Sequence, residues 1–493
     1  MVWTLSEWRM YIGCMSNEFF KMVSEAAFSN PFSDKRIEID RRIVGADDTV
    51  EWHTTLEPLL RKLGDNLHAL DRAGGVVIDR DGGDEIRAIG VSVLFHVFHR
   101  YIDRFDRLIE DQIAAGDESI RAPFAFQCLE DLTRFKIKRD DACRYVGMFY
   151  QIRRAYFFIS KGLVGDSPCM KRLRSQLWDN IFTHEISWYE RCLWNRMEDF
   201  STLLLGETGT GKGAAAAAIG RSGFIPFNPN AQRFEESFTR AFVSINLSQY
   251  PEALIESELF GHRKGAFTGA IEKHDGVFSR CSPHGAIFLD EIGDVSVPIQ
   301  IKLLQVLQER TFSPVGSHDK VRFKGRVIAA TNKPIDALRR DGKFRDDFYY
   351  RLCSDIITVP PLRQRIRETP RELDMLTEHL LERICGKELR LPLLATLKSR
   401  VEKNYAWPGN VRELEQAIRR VMISGTYQGD TSKELDEHAA LSDAVEAGNL
   451  SAKELVEKYC RDLYATYGNY GEVARRTGLD WRTVKKNVLG EQA

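Results

Sequence analysis

The chain has 493 residues, enough for about three domains of roughly 150 residues each. Hydrophobic residues make up 43% of it and charged residues 29%, which is typical of a soluble folded protein and unlike a disordered one. The 70 Lys and Arg residues balance 71 Asp and Glu residues, and the net charge of -1 excludes a global attraction to nucleic acid or anionic lipid. Binding to either therefore requires a local basic patch.

The cysteines and the apolar runs indicate the compartment. Nine cysteines are scattered without a C-x-x-C spacing, which favours reduced thiols over a disulfide framework or a zinc site. The longest apolar runs, such as Ala214 to Ile219, are far shorter than the roughly 18 residues of a membrane span. The charges of Glu7, Arg9 and Glu18 argue against a signal peptide. We expect a cytoplasmic protein with no membrane partner.

The first part of the chain, residues 1–162, has apolar residues at helical spacing. Leu94, Phe98, Tyr101, Phe105 and Leu108 form one stripe at intervals of three and four residues. This pattern predicts a mostly α-helical N-terminal domain. The sequence contains no phosphoacceptor pattern that we recognise, so it does not identify the ligand of this region.

Two histidines and two aspartates share one face of the same helical pattern. His96, His99, Asp103 and Asp106 are spaced i, i+3, i+7 and i+10, which could hold a metal ion. The alternative is a solvated face on which His99 pairs with Asp103. The sequence favours that alternative.

Between residues 163 and 425, short apolar runs alternate with amphipathic stretches, which is typical of an α/β domain with a parallel sheet. We predict strands near 201–205, 242–246, 286–290 and 326–331. Six acidic residues and one lysine between Gly425 and Asn449 predict a linker over residues 426–450. Residues 451–493 return to short amphipathic helices.

A glycine-rich loop follows the first predicted strand and precedes an alanine-rich helix. It reads Gly206-Glu207-Thr208-Gly209-Thr210-Gly211-Lys212, and Gly213 comes next. Glycines let backbone N–H groups turn towards phosphates, the helix N-terminus adds a positive dipole end, and Lys212 reaches the β- and γ-phosphates. The context therefore predicts a nucleotide phosphate loop, with an ordinary glycine-rich turn as the alternative. Gly213 lacks the hydroxyl that many such loops place on Mg²⁺, so the metal depends on other ligands.

Two further strands end in polar residues. The strand Ala286–Leu289 leads into Asp290 and Glu291, which can offer one carboxylate to Mg²⁺ and the other to an attacking water. Taken alone, a strand that leads into a polar turn explains these acids equally well, but the phosphate loop upstream favours an ATP site. A later strand ends in Thr331 and Asn332, where a polar side chain could sense the γ-phosphate.

Arg345 and Arg351 lie in a basic, aromatic segment and are six residues apart. This spacing puts them on different faces of a helix, so one of them could reach the nucleotide of a neighbouring subunit. Surface ion pairs with Asp346 and Asp347 are the alternative, which the spacing alone favours.

The C-terminal segment combines two short helices with a basic patch. An amphipathic stretch from Tyr470 ends at Gly478, and Asp480 caps a second one that runs to Leu489, which predicts a helix-turn-helix. Residues 472–490 include five basic residues and only two acidic ones. This patch is what binding to double-stranded DNA requires, and a small dimerisation bundle is the alternative. The residues expected to contact DNA are Arg475, Arg476, Arg482, Thr483, Lys485 and Lys486.

The motif Gly265-Ala266-Phe267-Thr268-Gly269-Ala270 resembles the hallmark loop of the AAA+ activators of sigma-54 RNA polymerase, the bacterial enhancer-binding proteins. The family pattern is also matched by the phosphate loop, by the segments 288–294, 329–332 and 344–352, and by the segment Trp407–Leu414. The resemblance covers about 163–425, and the C-terminus is similar to the Fis-type domain of these activators.

The resemblance implies an AAA+ core over 163–362, a helical lid over 363–425, ATP and Mg²⁺ as cofactors, and a ring that is a hexamer in this family. It implies sigma-54 RNA polymerase holoenzyme and upstream activating DNA as partners. By matching position, the implied roles are phosphate binding by Lys212, Mg²⁺ binding by Asp290, activation of water by Glu291, restraint of Glu291 by Asn246, trans-acting arginine fingers at Arg345 and Arg351, a second sensor at Arg412, and a sigma-factor contact by residues 265–270.

Two departures from the family pattern keep other readings open. The family usually has an acidic residue where this chain has Gly213, and the loss of that charge would weaken ATP turnover. One rival interpretation is therefore a DNA-binding regulator with a degenerate ATPase. Phe224–Ala241 is longer than we expect for the family and has no assigned role. A second rival is an AAA+ remodeller of another protein, against which the 265–270 motif argues.

Overall fold

A computed structural model describes residues 17–47, 55–72, 83–386, 405–425 and 451–489. The chain divides into two compact units, residues 1–384 with 409–412 and residues 385–408 with 413–493. The predicted linker over 426–450 lies outside the described residues. Among the helices that are described, none has the length and apolar character needed to cross a membrane.

The N-terminal region is helical, as its periodicity predicts. Its helices pack around buried apolar side chains such as Phe20, Leu63, Val93 and Phe105. The described helices up to residue 182 are Asn17–Phe28, Asp34–Val44, Leu56–Arg72, Asp84–Arg100, Ile102–Ala115, Pro123–Arg134, Arg139–Gly162 and Pro168–Phe182.

The apolar stripe of this region is not one continuous helix. One helix ends at Arg100 and the next begins at Ile102, with Tyr101 between them at φ -111° and ψ 4°. The Tyr101 hydroxyl donates to the Asp131 carboxylate at 2.8 Å, which fixes the break against a third helix. Of the five stripe residues, Tyr101, Phe105 and Leu108 are buried and the other two are partly buried against the same core, so periodicity found the core-facing side and missed the break.

The break also separates the two histidines from the two aspartates. The Nδ1 of His99 hydrogen-bonds the carbonyl of Phe95 at 2.8 Å, and burial lowers the pKa of His99 to about 3. Asp106 is bound by the guanidinium of Arg153. No group of potential metal ligands forms within the described ranges. The metal hypothesis and the His99–Asp103 pair are therefore both wrong.

The central part is a five-stranded parallel sheet whose strands lie in the order Phe242–Asn246, Ala286–Asp290, Arg326–Thr331, Thr202–Leu205 and Asp355–Thr358. The four predicted strands are confirmed as β1 (Thr202–Leu205), β4 (Phe242–Asn246), β5 (Ala286–Asp290) and β8 (Arg326–Thr331). The fifth, β9 (Asp355–Thr358), was not predicted, because only Ile357 of its four residues is buried. All five strands run in one direction, so their carboxyl ends meet at one edge of the sheet.

Helices cover and follow the sheet. The core-facing residues of β1, β5 and β8 are almost fully buried. The remaining described α-helices of four or more residues up to residue 424 are Lys212–Gly220, Glu252–Phe260, Val277–Arg280, Val297–Glu309, Ile335–Arg340, Asp346–Leu352, Leu362–Glu368, Glu372–Cys385 and Asn410–Ser424, and a π-helix spans Tyr189–Leu193.

The unassigned segment Phe224–Ala241 forms a small hairpin, β2 (Phe227–Asn228) and β3 (Arg233–Phe234), that packs on the N-terminal helices. The rings of Phe234 and Tyr150 stack at 4.0 Å, and the N–H of Ala122 donates to Gln232 at 2.7 Å. One continuous apolar core runs from the N-terminal helices through this hairpin to the sheet. The hairpin thus attaches the helical domain to the domain that contains the parallel sheet.

A second hairpin and the C-terminal helices complete the described structure. Strands β6 (Thr311–Phe312) and β7 (Val321–Arg322) pair in antiparallel fashion. In the other unit, the helices Ala452–Tyr467, Tyr470–Thr477 and Trp481–Leu489 pack around Cys460, Val473 and Val484. Gly478 ends the middle helix with a φ of 71°, as the sequence predicts.

Candidate nucleotide-binding site

The glycine-rich loop 206–211 joins the end of β1 to the helix that begins at Lys212. Gly206 and Gly209 have φ values of 153° and 81°. A Cβ on Gly206 would lie 2.8 Å from the carbonyl oxygen of Val359, and one on Gly209 would overlap the carbonyl oxygen of Gly409. Only glycine fits both the backbone and the space at these positions.

Lys212 lies at the first turn of that helix, with its side chain buried. Its Nζ donates to the carbonyls of Gly206 at 2.8 Å and Glu207 at 3.1 Å, which holds the ammonium across the loop. Burial lowers the pKa of Lys212, and the negative charges of Glu291 and Asp290 act in the opposite direction. The lysine therefore faces both carboxylates at the carboxyl edge of the sheet.

Asp290 is the last residue of β5 at this edge, and Glu291 follows it. The Asp290 carboxylate accepts the N–H of Glu291 at 3.1 Å, and burial raises the pKa of Asp290. Glu291 has a φ of 56°, which turns the chain sharply after the strand. A half-buried carboxylate beside a phosphate loop suits the oxygen-ligand preference of Mg²⁺. Asp290 fits the metal, whereas Gly213 offers it no side chain.

Asn332, at the end of β8, connects the loop to Glu291. Its side-chain amide donates to the Thr208 hydroxyl at 2.9 Å, and its backbone N–H donates to the Glu291 carboxylate at 3.4 Å. The residue predicted to sense the γ-phosphate thus contacts both the phosphate loop and the predicted water-activating acid.

Asn246 ends β4 and is in register with Asp290 on the neighbouring strand. Its side-chain oxygen accepts from the backbone N–H and the hydroxyl of Ser248, at 3.0 and 2.7 Å, which caps the turn Leu247–Gln249. The proposed restraint of Glu291 by Asn246 stays a prediction.

Arg363 and Asn410 contact the loop and were not assigned a role from the sequence. The Arg363 guanidinium donates two bonds to the Glu207 carboxylate, at 2.8 and 2.5 Å, and so lowers the pKa of Glu207. Asn410 donates to that carboxylate and to the Thr208 carbonyl, both at 3.1 Å. The Trp407–Leu414 motif, which contains Asn410, is the sequence signal from which this contact could have been predicted.

Arg412 follows on the same helix and acts on the site through its charge. Burial raises the pKa of Asp290 and lowers that of Lys212; the positive charge of Arg412 opposes the first shift and adds to the second, so it acts on both groups of the site. A Cβ on Gly209 would lie 2.9 Å from the Cβ of Arg412. This position fits the second sensor that the family resemblance implies.

The two candidate finger arginines have other partners within the chain. Arg345 donates two bonds to the Asp347 carboxylate at 2.9 and 2.7 Å, and Asp346 pairs with Arg339. Arg351 donates two bonds to the Leu307 carbonyl, at 3.0 and 2.7 Å. Within the single chain, Arg345 therefore forms the surface ion pair with Asp347 that the spacing favoured. Contact of Arg345 or Arg351 with the nucleotide of a neighbouring subunit stays a prediction.

The loop 265–270 is exposed and is held by its own backbone. The N–H of Gly265 donates to the carbonyl of Ala270 at 2.8 Å, and the N–H of Ala270 donates to Phe267 at 3.0 Å. Phe267 is 40% exposed, and Thr268 is exposed beside it. At the base of the loop, the backbones of His262 and His274 exchange two hydrogen bonds at 3.0 Å. The tip is thus presented to solvent on a closed base.

The basic residues at the C-terminus divide into two groups. Arg475 and Arg476 both bind the Glu472 carboxylate and lower the pKa of Glu472 to about 2. The last helix, Trp481–Leu489, exposes four of the predicted DNA contacts, which are Arg482, Thr483, Lys485 and Lys486.

Two family models match this chain. Residues 188–358 match the sigma-54 interaction domain, and residues 367–449 match the AAA+ ATPase lid domain. The lid match includes most of the segment predicted as a linker, 426–450. The matched ranges contain the phosphate loop, both carboxylates, the exposed 265–270 loop and Arg412.

Curated relatives agree with these matches. The chain is 40% identical over 274 residues to the Nif-specific regulatory protein of Azotobacter vinelandii, over 55% of this chain and 46% of that protein. It is 36% identical over 325 residues to the DNA-binding transcriptional regulator NtrC of Azospirillum brasilense, over 59% of this chain and 64% of that protein. It is 34% identical over 328 residues to the transcriptional regulatory protein ZraR of Escherichia coli O157:H7, over 66% of this chain and 67% of that protein.

The chain spans about half to two thirds of the length of these relatives. The identity of 34% extends across two thirds of ZraR, and the strand order and phosphate loop described above are those of a P-loop ATPase fold. The chain therefore belongs to the family of AAA+ transcriptional regulators that carry a sigma-54 interaction domain.

Proposed function

We propose that this protein activates transcription by sigma-54 RNA polymerase, using ATP hydrolysis in a ring to open promoters while its C-terminal helices bind upstream DNA. The observation that carries the proposal is a single domain that joins a phosphate loop with adjacent carboxylates to an exposed Phe267–Thr268 tip. A motor and a contact surface on one fold are what a remodelling ATPase requires.

The hydrolysis step uses residues that converge at the carboxyl edge of the sheet. Lys212 binds the phosphates, and Asp290 would hold Mg²⁺, which would supply positive charge to neutralise the developing charge on the transferred phosphoryl group. Glu291 orients and deprotonates the attacking water, since its carboxylate lies at the end of a buried strand next to Asn332. Arg345 or Arg351 of a neighbouring subunit completes the site, so turnover requires assembly.

A packed path connects the site to the loop that contacts the sigma factor. The helix Glu252–Phe260 starts shortly after β4, and the helix Val277–Arg280 leads back to β5, which ends in Asp290. The rings of Phe260 and Phe278 stack at 5.4 Å and join the two helices below the loop. A shift of β4 or β5 during hydrolysis is therefore passed to the base of the 265–270 loop.

The C-terminal helices supply the DNA-binding surface in this proposal. Arg482, Lys485 and Lys486 are exposed on one short helix and make no ion pair within residues 451–489. Cations of this kind bind phosphates and release counterions. Arg475 and Arg476 are bound to Glu472, so to contact DNA they must leave this carboxylate or bind it and a DNA phosphate at the same time.

The test is Thr268→Ala, which removes one hydroxyl and one methyl from an exposed tip. We expect ATP hydrolysis and ring assembly to stay within a few fold of wild type, while binding of the sigma factor in a trapped transition-state complex and promoter opening are lost. Thr369→Ala, a threonine of the lid region, is the control and should leave all four measurements unchanged.

The same experiment separates the rivals. Promoter opening by Thr268→Ala would reject the sigma contact and favour a remodeller of another protein. If the wild-type protein binds DNA but does not hydrolyse ATP, the result would favour the rival interpretation of a DNA-binding regulator with a degenerate ATPase. Gly213 is the residue that suggests this rival.

A further inference from the structure

A cavity of about 450 Å³ lies among the N-terminal helices, outside the nucleotide site. Its walls come from seven described helices, which are Asn17–Phe28, Asp34–Val44, Leu56–Arg72, Asp84–Arg100, Ile102–Ala115, Arg139–Gly162 and Pro168–Phe182, and from the short helical segments Ile186–Trp188 and Tyr189–Leu193. The volume is in the range of small-molecule sites in proteins. The proposed function gives this cavity no role.

Aromatic rings dominate the apolar wall of the cavity. Phe98 and Phe149 pack with ring centroids 5.4 Å apart, and both line the space. Further rings are those of Phe28, Phe95, Tyr156 and Trp178. Such a wall favours a flat aromatic guest, because ring pairs gain stacking and edge contacts beyond the area that they bury.

The charges that line the cavity do not balance. Its walls include four arginines and two acids. Arg36 is paired with Asp40 at 2.9 Å, and Glu190 is bound by Arg144 from outside the lining at 3.0 Å. Arg153 is likewise held by an outside residue, the carboxylate of Asp106.

Two lining arginines remain. Arg87 and Arg191 have no ion-pair partner in the part of the chain that the structure describes. Arg191 is exposed while also lining the cavity, so it lies where the cavity meets solvent. His99 adds no positive charge, since burial lowers the pKa of its ring to about 3 despite the bond to the Phe95 carbonyl. The cavity thus combines an aromatic interior with a surplus of positive charge.

We propose that this cavity binds a small aromatic carboxylate, with its ring system against the aromatic wall and its carboxylate directed to Arg87 and Arg191. A guanidinium is suited to this head group, because its planar fork donates two parallel bonds to a carboxylate. The site goes beyond the activity proposed above and does not depend on it.

The position of the cavity gives its ligand a route to the ATPase domain. Ile186, Glu190 and Arg191 line it, and the match to the sigma-54 interaction domain begins at residue 188. Arg144, on an N-terminal helix, donates to the carbonyl of Glu190 at 2.9 Å. A ligand in the cavity therefore contacts both the helical domain and the start of the matched sigma-54 interaction domain.

The experiment uses isothermal titration calorimetry on the full-length protein without ATP. The probes are 2-naphthoate and its uncharged counterpart 2-naphthamide. We expect the carboxylate to bind about tenfold tighter than the amide, and the double variant Arg87→Ala/Arg191→Ala to remove that difference while leaving the amide unchanged. Arg107→Ala, an exposed arginine on Ile102–Ala115 that does not line the cavity, is the matched control and should bind both probes as wild type does.

A second variant tests the location of the site. Leu94→Trp places a larger side chain into the cavity and should abolish binding of both probes, with circular dichroism and the melting temperature showing that the fold is retained. Failure of both probes to bind the wild type, or equal binding of acid and amide, overturns the proposal. Because the readout needs neither ATP nor sigma factor, a failed activator assignment leaves this result intact.

Discussion

The phosphate loop 206–211 and the loop 265–270 are both rich in glycines with positive φ, yet their surroundings differ. A side chain on Gly209 would overlap the carbonyl oxygen of Gly409, whereas nothing lies within 4 Å of a Cβ on Gly265 or Gly269. Glycine in the first loop lets other segments approach closely, and glycine in the second loop only lets the backbone turn. The first loop is fixed by its neighbours, and the second is free to meet a partner.

The largest effect is expected from Gly209→Ala. The new methyl group forces the phosphate loop away from Gly409 and Arg412, at a cost of about 1–3 kcal/mol of stability. We expect ATP affinity to fall by at least about 100-fold, since the loop can no longer close on the phosphates, as measured by calorimetry.

Gly342→Ala is the control for Gly209→Ala. It has a similar positive φ of 69° but open space around it, so it carries the backbone strain without the overlap. Normal ATP affinity in Gly209→Ala would show that the two loops do not differ in the way described.

A smaller effect is expected from Asn410→Gly, which keeps the positive φ of 54° and removes the bonds to Glu207 and Thr208, together with the bond that the side-chain oxygen accepts from the Leu362 N–H at 2.7 Å. We expect ATP affinity to fall about tenfold, the typical value of one or two buried hydrogen bonds. Combined with Arg363→Ala, the loss should be less than additive, because both side chains hold the same carboxylate. Additive losses would mean that the two act independently on the phosphate loop.

The smallest effect on the fold is expected from Gly269→Ala. Its φ of 102° disfavours a side chain by about 1–2 kcal/mol, which thermal unfolding should detect as a modest loss. ATP hydrolysis should stay within a few fold of wild type, while promoter opening falls. Loss of hydrolysis in this variant would show that the two loops are coupled more rigidly than their packing indicates.

The sequence predicted the sheet and the polar residues at its edge because both depend on local patterns. β1, β4, β5 and β8 are apolar runs, and the acids and Asn332 directly follow two of them. β9 was missed because a strand with one buried residue leaves no periodic signal.

Contacts across long stretches of the chain were not predictable. Glu207 meets Arg363 across 156 residues and Asn410 across 203. The break at Tyr101 depends on Asp131, which also lies outside any local pattern. The N-terminal cavity is of the same kind, since its lining residues come from separate helices that are far apart in the sequence.

The β2–β3 hairpin has a consequence for the way the protein is dissected. Phe234 and Phe238 are buried against Tyr150 and Phe158 of the helical domain. A truncated protein that starts near residue 163 would expose these rings, and an uncovered aromatic patch promotes self-association. Turnover measured on such a fragment would mix the release of regulation with aggregation. A polar replacement of both phenylalanines would give a fragment in which the two effects are separated.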